Sequence, residues 1–382
     1  MPVWNEELAA LCQAAEHPAR TVREAMRRTG RDAVGCFPLY TPEEVVDACG
    51  FLPVGLWGGP QIPQRSEQYV QSFCCSIMKA NLDLGLGGAY DILKGVLIPT
   101  FCDTLKCICE NWKAGVPRVP AIALVYPQNR AASGAEDYLV AELKRVQGAL
   151  EELSGHRATG AELEASLAKL ERARAAQRMF CEQAGRHPGV VTARQRHLVL
   201  KAAWFMDRED YAQRLEQVNL GLMEQPEDSG KKIRLVATGI MLEPLSLLDA
   251  LDACGMSVAG DDLAQESRQF ATPALEGGSV LKRIAGRYLC RQGDPLVYDS
   301  GKTRGSRLIE LVQQHQADGV LVSMMKFCDP EEFDYPIFKK ELERAKIPML
   351  YLETELSNSG MESVRTRLEG FREMVLERRH DE

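Results

Sequence analysis

Twice the chain writes a glycine, a short apolar run and then Phe-Cys-Asp: "GVLIPTFCDT" at 95–104 and "GVLVSMMKFCDP" at 319–330. A thiol placed just past a buried strand is positioned for chemistry, because open parallel sheets bind ligands beyond the carboxyl ends of their strands. Cys102 and Cys328 thus become candidate ligands that approach one centre from two sides. Two thiolates do not complete a cluster site. The best third candidate lies in "SFCCSIMK", where Cys74 and Cys75 stand near the start of a helical stretch. Amides at a helix N-terminus stabilise thiolate. An all-sulfur donor set without histidine points to an iron–sulfur cluster or structural zinc rather than catalytic zinc. The spacing does not decide between these.

Twelve cysteines are many for a reducing compartment, where structural disulfides are rare and metal or redox chemistry gains weight. Most should still be small buried hydrophobes. Cys49 and Cys254 read as core residues at helix ends, and Cys107 and Cys109 as buried positions on the helix after Cys102. Cys12, Cys181 and Cys290 have no supporting context. Cys36, in "GCFPLYTPEE", precedes a proline-bounded helix start, where an exposed backbone nest could hold a ligand or cluster.

The elements that must position these thiols are themselves written twice. "DACGFLPVG" (47–55) recurs as "DACGMSVAG" (252–260), each after an apolar-periodic helix. Gly50 and Gly255 sit where a helix C-terminus favours a left-handed residue, and strands follow at 52–56 and 256–259. Proline-led strands close both halves, "VPAIALVYP" at 119–127 and "IPMLYLETE" at 347–355. The second half also predicts strands at 233–237 and 319–322 and a helix from Pro244. Alternating helix and strand is the pattern of a parallel sheet with helices on both faces. The fold class is therefore α/β, with two doubly wound parallel-sheet domains related by an internal repeat. Residues 137–224 carry apolar residues at helical spacing among many charges and read as a helical connector. "PEDSGKK" (226–232) supplies a turn-rich approach to the second domain. The division is 1–135, a first α/β domain with N-terminal helices; 136–230, the connector; and 231–382, the second α/β domain.

A length of 382 residues suits two domains, and 45% hydrophobic with 26% charged residues is ordinary for a globular protein. The net charge of −8 comes with scattered Lys and Arg, so nucleic acid is not an expected partner. No long apolar span or signal peptide is evident, which predicts a cytoplasmic protein without membrane contact. The sequence shows no GxSxG, Walker A, HExxH or GxGxxG in a suitable context. "SGKTRGSR" (300–307) lacks the strand and cradle of a P-loop and reads as a helix start, although Lys302, Arg304 and Arg307 could meet phosphates.

The stretches "GCFPLYTPEEVVDACGFLPVGLWGG", "SFCCSIMK", "GVLIPTFCDTLK", "VYPQNR" and "GVLVSMMKFCDP…IPMLYLETE" resemble the 2-hydroxyacyl-CoA dehydratase and benzoyl-CoA reductase family over nearly the whole chain. The wording of GCFPLYTPEE and VYPQNR looks most like a smaller cluster-bearing subunit of ATP-dependent benzoyl-CoA reductase. The resemblance implies Rossmann-like domains and a [4Fe-4S] cluster held by Cys75, Cys102 and Cys328, with Cys74 as the alternative to Cys75. It gives Cys36 either an outer place in a double-cubane cluster or a catalytic position near substrate. The implied function is single-electron reduction of an aromatic acyl-CoA. The alternatives are a 2-hydroxyacyl-CoA dehydratase subunit (a lyase), a non-catalytic electron-relay or structural subunit, and a homodimeric double-cubane reductase. The implied partners are a homologous cluster-bearing subunit, an ATPase activator with its own cluster, ferredoxin as upstream donor, and the acyl-CoA.

Overall fold

The computed structural model describes residues 2–227, 232–358 and 360–381, so residues 228–231 of the turn-rich stretch lie outside the described residues. Eight parallel strands form two four-stranded sheets flanked by helices. The first holds β1 (Ala33–Cys36), β2 (Leu52–Gly55), β3 (Leu93–Pro99) and β4 (Ala121–Leu124), and the second holds β5 (Ile233–Gly239), β6 (Met256–Leu263), β7 (Gly319–Met325) and β8 (Met349–Thr354). The spatial orders are β2-β1-β3-β4 and β6-β5-β7-β8, one topology written twice. The chain reverses direction across the sheet between β1 and β3, and again between β5 and β7. Such switch points open a crevice at the strand ends.

The repeat extends to the helix ends. Helices Glu43–Ala48 and Leu245–Ala253 end on Cys49 and Cys254, followed by Gly50 and Gly255 with φ of 87° and 68°. Cys49 is buried and Cys254 half-buried, so the first fits its expected core role better. Pro244 caps the start of the second helix, as expected.

Strand β1 has no counterpart among the strands expected from sequence, and it is central. Its four residues, Ala-Val-Gly-Cys, are buried throughout, and such a run is too short to show a period. At Gly35 a Cβ would lie 2.9 Å from side-chain carbons of Leu56 and Leu93, so a larger residue would force the side chains beside β2 and on β3 to shift.

Four helices fill the middle of the chain: Ala135–Ser154, Gly160–Arg186, Ala193–Ala202 and Arg208–Met223. Two start with full capping boxes, Thr159 with Glu162 and Thr192 with Gln195. The N-terminal helix Val3–Glu16 packs into the core of the last three, through Leu8 and Leu11, rather than on the first sheet. One apolar core joins both halves: Ile284 and Tyr288 of helix Val280–Leu289, with Met325 and Leu356, pack with the residues of the first sheet. Among the described residues no helix is long and apolar enough to cross a membrane.

Candidate functional site

Cys75, Cys102 and Cys328 are the N-cap residues of three helices, Ser76–Leu86, Asp103–Gly115 and Asp329–Arg344. Cys102 and Cys328 each stand three residues past the end of the third strand of their sheet, at the switch-point edge. The sulfurs make no capping hydrogen bond, but amides of the first turn lie close enough to favour negative charge on them: Met78 and Ile77 at Cys75, Leu105 and Thr104 at Cys102, and Glu331 at Cys328.

Burial nevertheless pushes all three thiols up, Cys75 to about 12 and Cys328 well above its ordinary value. The thiols also act on one another: Cys102 raises Cys75, and Cys75 and Cys102 both raise Cys328. Mutual influence of this kind arises between neighbouring groups, and all three cysteines pack against the same apolar core. Among the described residues no group of three or more His, Cys, Asp or Glu side chains is arranged to hold a metal ion.

Several contacts hold the three cysteine loops in place. The Ser76 hydroxyl donates to the sulfur of Met325 (3.3 Å) and accepts from the Leu356 amide (3.1 Å), pinning the Cys75 helix to the second half. In "VYPQNR", Gln128 donates through Nε2 to the Phe101 carbonyl at 3.1 Å, beside Cys102. The Tyr126 hydroxyl of the same motif donates to the Tyr40 carbonyl. The motif therefore acts as a brace for the Cys102 loop. Phe327, just before Cys328, has a φ of 63°, a conformation that costs a residue with Cβ about 1–2 kcal/mol.

Beside Cys328, Glu331 is fully buried and its carboxyl is raised by burial despite Arg304, which donates to it at 2.6 Å. Arg304 is thus an internal ion-pair partner rather than a phosphate ligand, and Lys302 lies 3.6 Å from Asp334. Sequence reasoning missed Ser76, Gln128 and Glu331, because each is placed by a contact from a distant segment. Near the cysteines in sequence are exposed aromatics: Phe73 is 64%, Phe327 38% and Phe333 80% accessible.

Of the other candidates, Cys36 lies apart. Cys36 is the last residue of β1, fully buried, with its thiol pushed up to about 12 by burial; Arg208 and the Val54 backbone act on it, and none of the three thiols does. It lies in a strand rather than in an exposed nest. Cys74, beside Cys75, is buried near Thr104 and Cys107, and it too raises Cys75. Cys109 is buried as expected, whereas Cys107 on the same helix is exposed, contrary to the expectation from sequence.

Residues 38–375 match the family described as 2-hydroxyglutaryl-CoA dehydratase, D-component. The chain belongs to this family. It is 36% identical to the (R)-phenyllactyl-CoA dehydratase beta subunit of Clostridium sporogenes, over 94% of this chain and 96% of that one. It is 38% identical to the lactoyl-CoA dehydratase subunit beta of Anaerotignum propionicum, over 96% and 98%. A benzoyl-CoA reductase subunit of Thauera aromatica is 24% identical, over 90% and 91%. These relatives are all enzyme subunits named for work on CoA esters, and this chain is an enzyme subunit of the same family.

Proposed function

We propose that this chain is the beta-type subunit of a 2-hydroxyacyl-CoA dehydratase and that Cys75, Cys102 and Cys328 hold a [4Fe-4S] cluster. The observation that carries the reading is that three thiols, each at the N-terminus of a different helix and drawn from both halves, pack against one apolar core. Three sulfurs without histidine fit the thiolate donor set of an iron–sulfur cluster better than ligands closing on one ion. When bound, such a cluster supplies an electron of very low potential to an acyl-CoA. The chain's own part is to fix the three sulfurs, to place first-turn amides near them and to bury them, which together set a potential. The exposed Phe73, Phe327 and Phe333 suit cover by a homologous cluster-bearing subunit. An ATPase activator and ferredoxin complete the proposed assembly.

The dehydratase branch is preferred on identity, 36–38% to two dehydratase beta subunits against 24% to the reductase subunit. The second reading, a subunit of a benzoyl-CoA reductase, is favoured by the wording of GCFPLYTPEE and VYPQNR. Anaerobic purification with the partner subunits, followed by iron and sulfide analysis, tests the cluster: about four irons per chain are expected, and their absence overturns the reading. Substrate turnover without net consumption of reductant supports the dehydratase; stoichiometric consumption supports the reductase.

A further inference from the structure

A cavity of about 850 Å³ opens in the second half, and none of the three N-cap cysteines lines it. Its walls come from Gly260 and Asp261 of β6, the last turns of helix Gly160–Arg186, and helix Arg304–Gln314. Six arginines line it: Arg178, Arg186, Arg196, Arg234, Arg307 and Arg379. Among the described residues only three carboxylates do, Glu182, Glu227 and Asp261. On a chain of net charge −8, such a local excess of cations is not an accident of composition.

The pairing of these arginines shows how much positive charge stays free. Arg196 is neutralised, buried between Asp261 and Glu266. Arg186 pairs with Glu182 at 2.6 Å and Arg379 with Asp318 at 2.7 Å. Arg178 and Arg234, by contrast, spend their guanidinium donors on backbone carbonyls: Phe270 for Arg178, Gly185 and His315 for Arg234. Among the described residues neither guanidinium has a carboxylate oxygen within 4.0 Å. Arg307 meets only the exposed Glu310, at 3.6 Å. His315, in the same wall, is held below its ordinary value by burial and by the cations Arg196, Arg234 and Arg307.

A second cavity of about 220 Å³ shares Asp261, Ser267, Ala271 and Arg307 with the first. Arg291 lines it, 6% exposed, and none of its three guanidinium nitrogens has a hydrogen-bond partner. The faces of its guanidinium are taken by the rings of Tyr40 and Tyr288, at 3.5 and 4.7 Å, while its N–H edges have no acceptor, which is costly unless an anion meets them. The second cavity is also lined by Arg268, which Asp262 pairs; the two spaces meet at their shared wall to form a cationic recess, and the larger alone lies within the ~300–1,000 Å³ typical of small-molecule sites.

We propose that this recess binds an organic polyphosphate, of the kind carried by a nucleotide or by the ADP-like end of coenzyme A. Guanidinium forks match phosphate oxygens in pairs, and several unpaired arginines around one space select a ligand with more than one phosphate. The Arg307 of "SGKTRGSR" therefore meets phosphate without a P-loop. The inference stands on the arginines of the recess alone and does not depend on the cysteine site.

Titration calorimetry of the full chain with ATP, coenzyme A, dephospho-coenzyme A and inorganic pyrophosphate tests it. At least one organic probe should bind with Kd below ~100 µM, more weakly as salt rises. The double variant Arg178→Gln/Arg307→Gln should weaken that binding about tenfold or more, since each charge-assisted contact to phosphate is strong. Glu182→Gln, which removes a carboxylate from the wall, should tighten it; this second readout holds even if the double variant folds poorly. Tighter binding of coenzyme A than of its dephospho form assigns the ligand to the coenzyme, and preference for ATP assigns it to a nucleotide. No binding of any organic probe at ~1 mM, equal binding of pyrophosphate, or affinity unchanged in the double variant overturns the proposal.

Discussion

Glu44→Gln is the sharpest structural perturbation, because one carboxylate joins three segments of the chain. Glu44 is fully buried on helix Glu43–Ala48 and meets Arg174 of helix Gly160–Arg186 at 2.7 Å and Arg287 of helix Val280–Leu289 at 3.2 Å. Burial alone would raise its pKa; the two guanidinium groups overcome that and bring it from 4.5 down to about 2. At about 1.36 kcal/mol for each pH unit of lowering, the charged form is favoured in the fold by about 3 kcal/mol. Removing one partner of a buried ion pair costs a similar ~3–5 kcal/mol. The sign follows from the direction: a carboxyl lowered by folding contributes stability above its unfolded pKa and loses it as pH falls through the folded value. Urea denaturation of wild type and variant should therefore differ by about 3 kcal/mol at pH 7. The difference should shrink as pH falls from about 4.5 towards 2, where Glu44 takes up its proton. Glu243, also lowered to about 2, is common to both proteins and cancels. A loss below about 1 kcal/mol, or a difference that does not change with pH, refutes the tie.

Further expectations follow from the cysteines. Cys102→Ala and Cys328→Ala should each lose cluster iron, whereas Cys49→Ala and Cys254→Ala should cost about 1–2 kcal/mol of packing and keep it; iron analysis with thermal melts decides. Cys36→Ser should keep its iron, because that thiol is buried in β1 and none of the three N-cap thiols acts on it; loss of about half the iron would instead place Cys36 in a double cubane. The metal-free protein should lose stability as pH rises from the ordinary thiol value of 9.0 towards about 12, since burial raises Cys75 and its neighbours and the folded chain holds their protons more tightly. A flat stability profile across that alkaline window would contradict the burial of the three thiols.

Much of the fold is legible in local chemistry. The twin "DACG" helix ends, the glycines at 50 and 255, and the proline-led last strands each carry a physical signal within a few residues. Strand β1 does not, because four residues buried on both faces have no period, and so Cys36 reads as part of a loop. Cys102 and Cys328 stand out because the repeat sets them at matching strand ends. The pair Cys74–Cys75 stands out by its place at a helix start, but only the family resemblance prefers Cys75, since nothing in "FCCS" separates the two. Internal ion pairs such as Glu44 with Arg174 and Arg287 are invisible to any window, and so is a recess lined by arginines from several separate segments. Their side chains look like ordinary surface charge until the segments meet.

The way the two halves meet explains why one site draws on both. Each half inserts a long segment between its second and third strands, and each insertion crosses to the other half. The first carries Cys75 and Ser76 across to Met325 and Leu356, beside the loop of Cys328. The second carries Arg287 and Arg291 across to Glu44 and Tyr40; the Arg291 guanidinium lies 3.5 Å from the ring centre of Tyr40. Tyr40 in turn packs edge-on against Phe101, the residue before Cys102, at 5.4 Å between centroids. The two crossings thus end on the two cysteine loops that the repeat itself supplies. A separation of the halves would move Cys75 and Cys102 away from Cys328 together. The placement of Cys75 and Cys102 relative to Cys328 is therefore set by the packing of the two halves, and the buried pair of Glu44 with Arg287 opposes their separation.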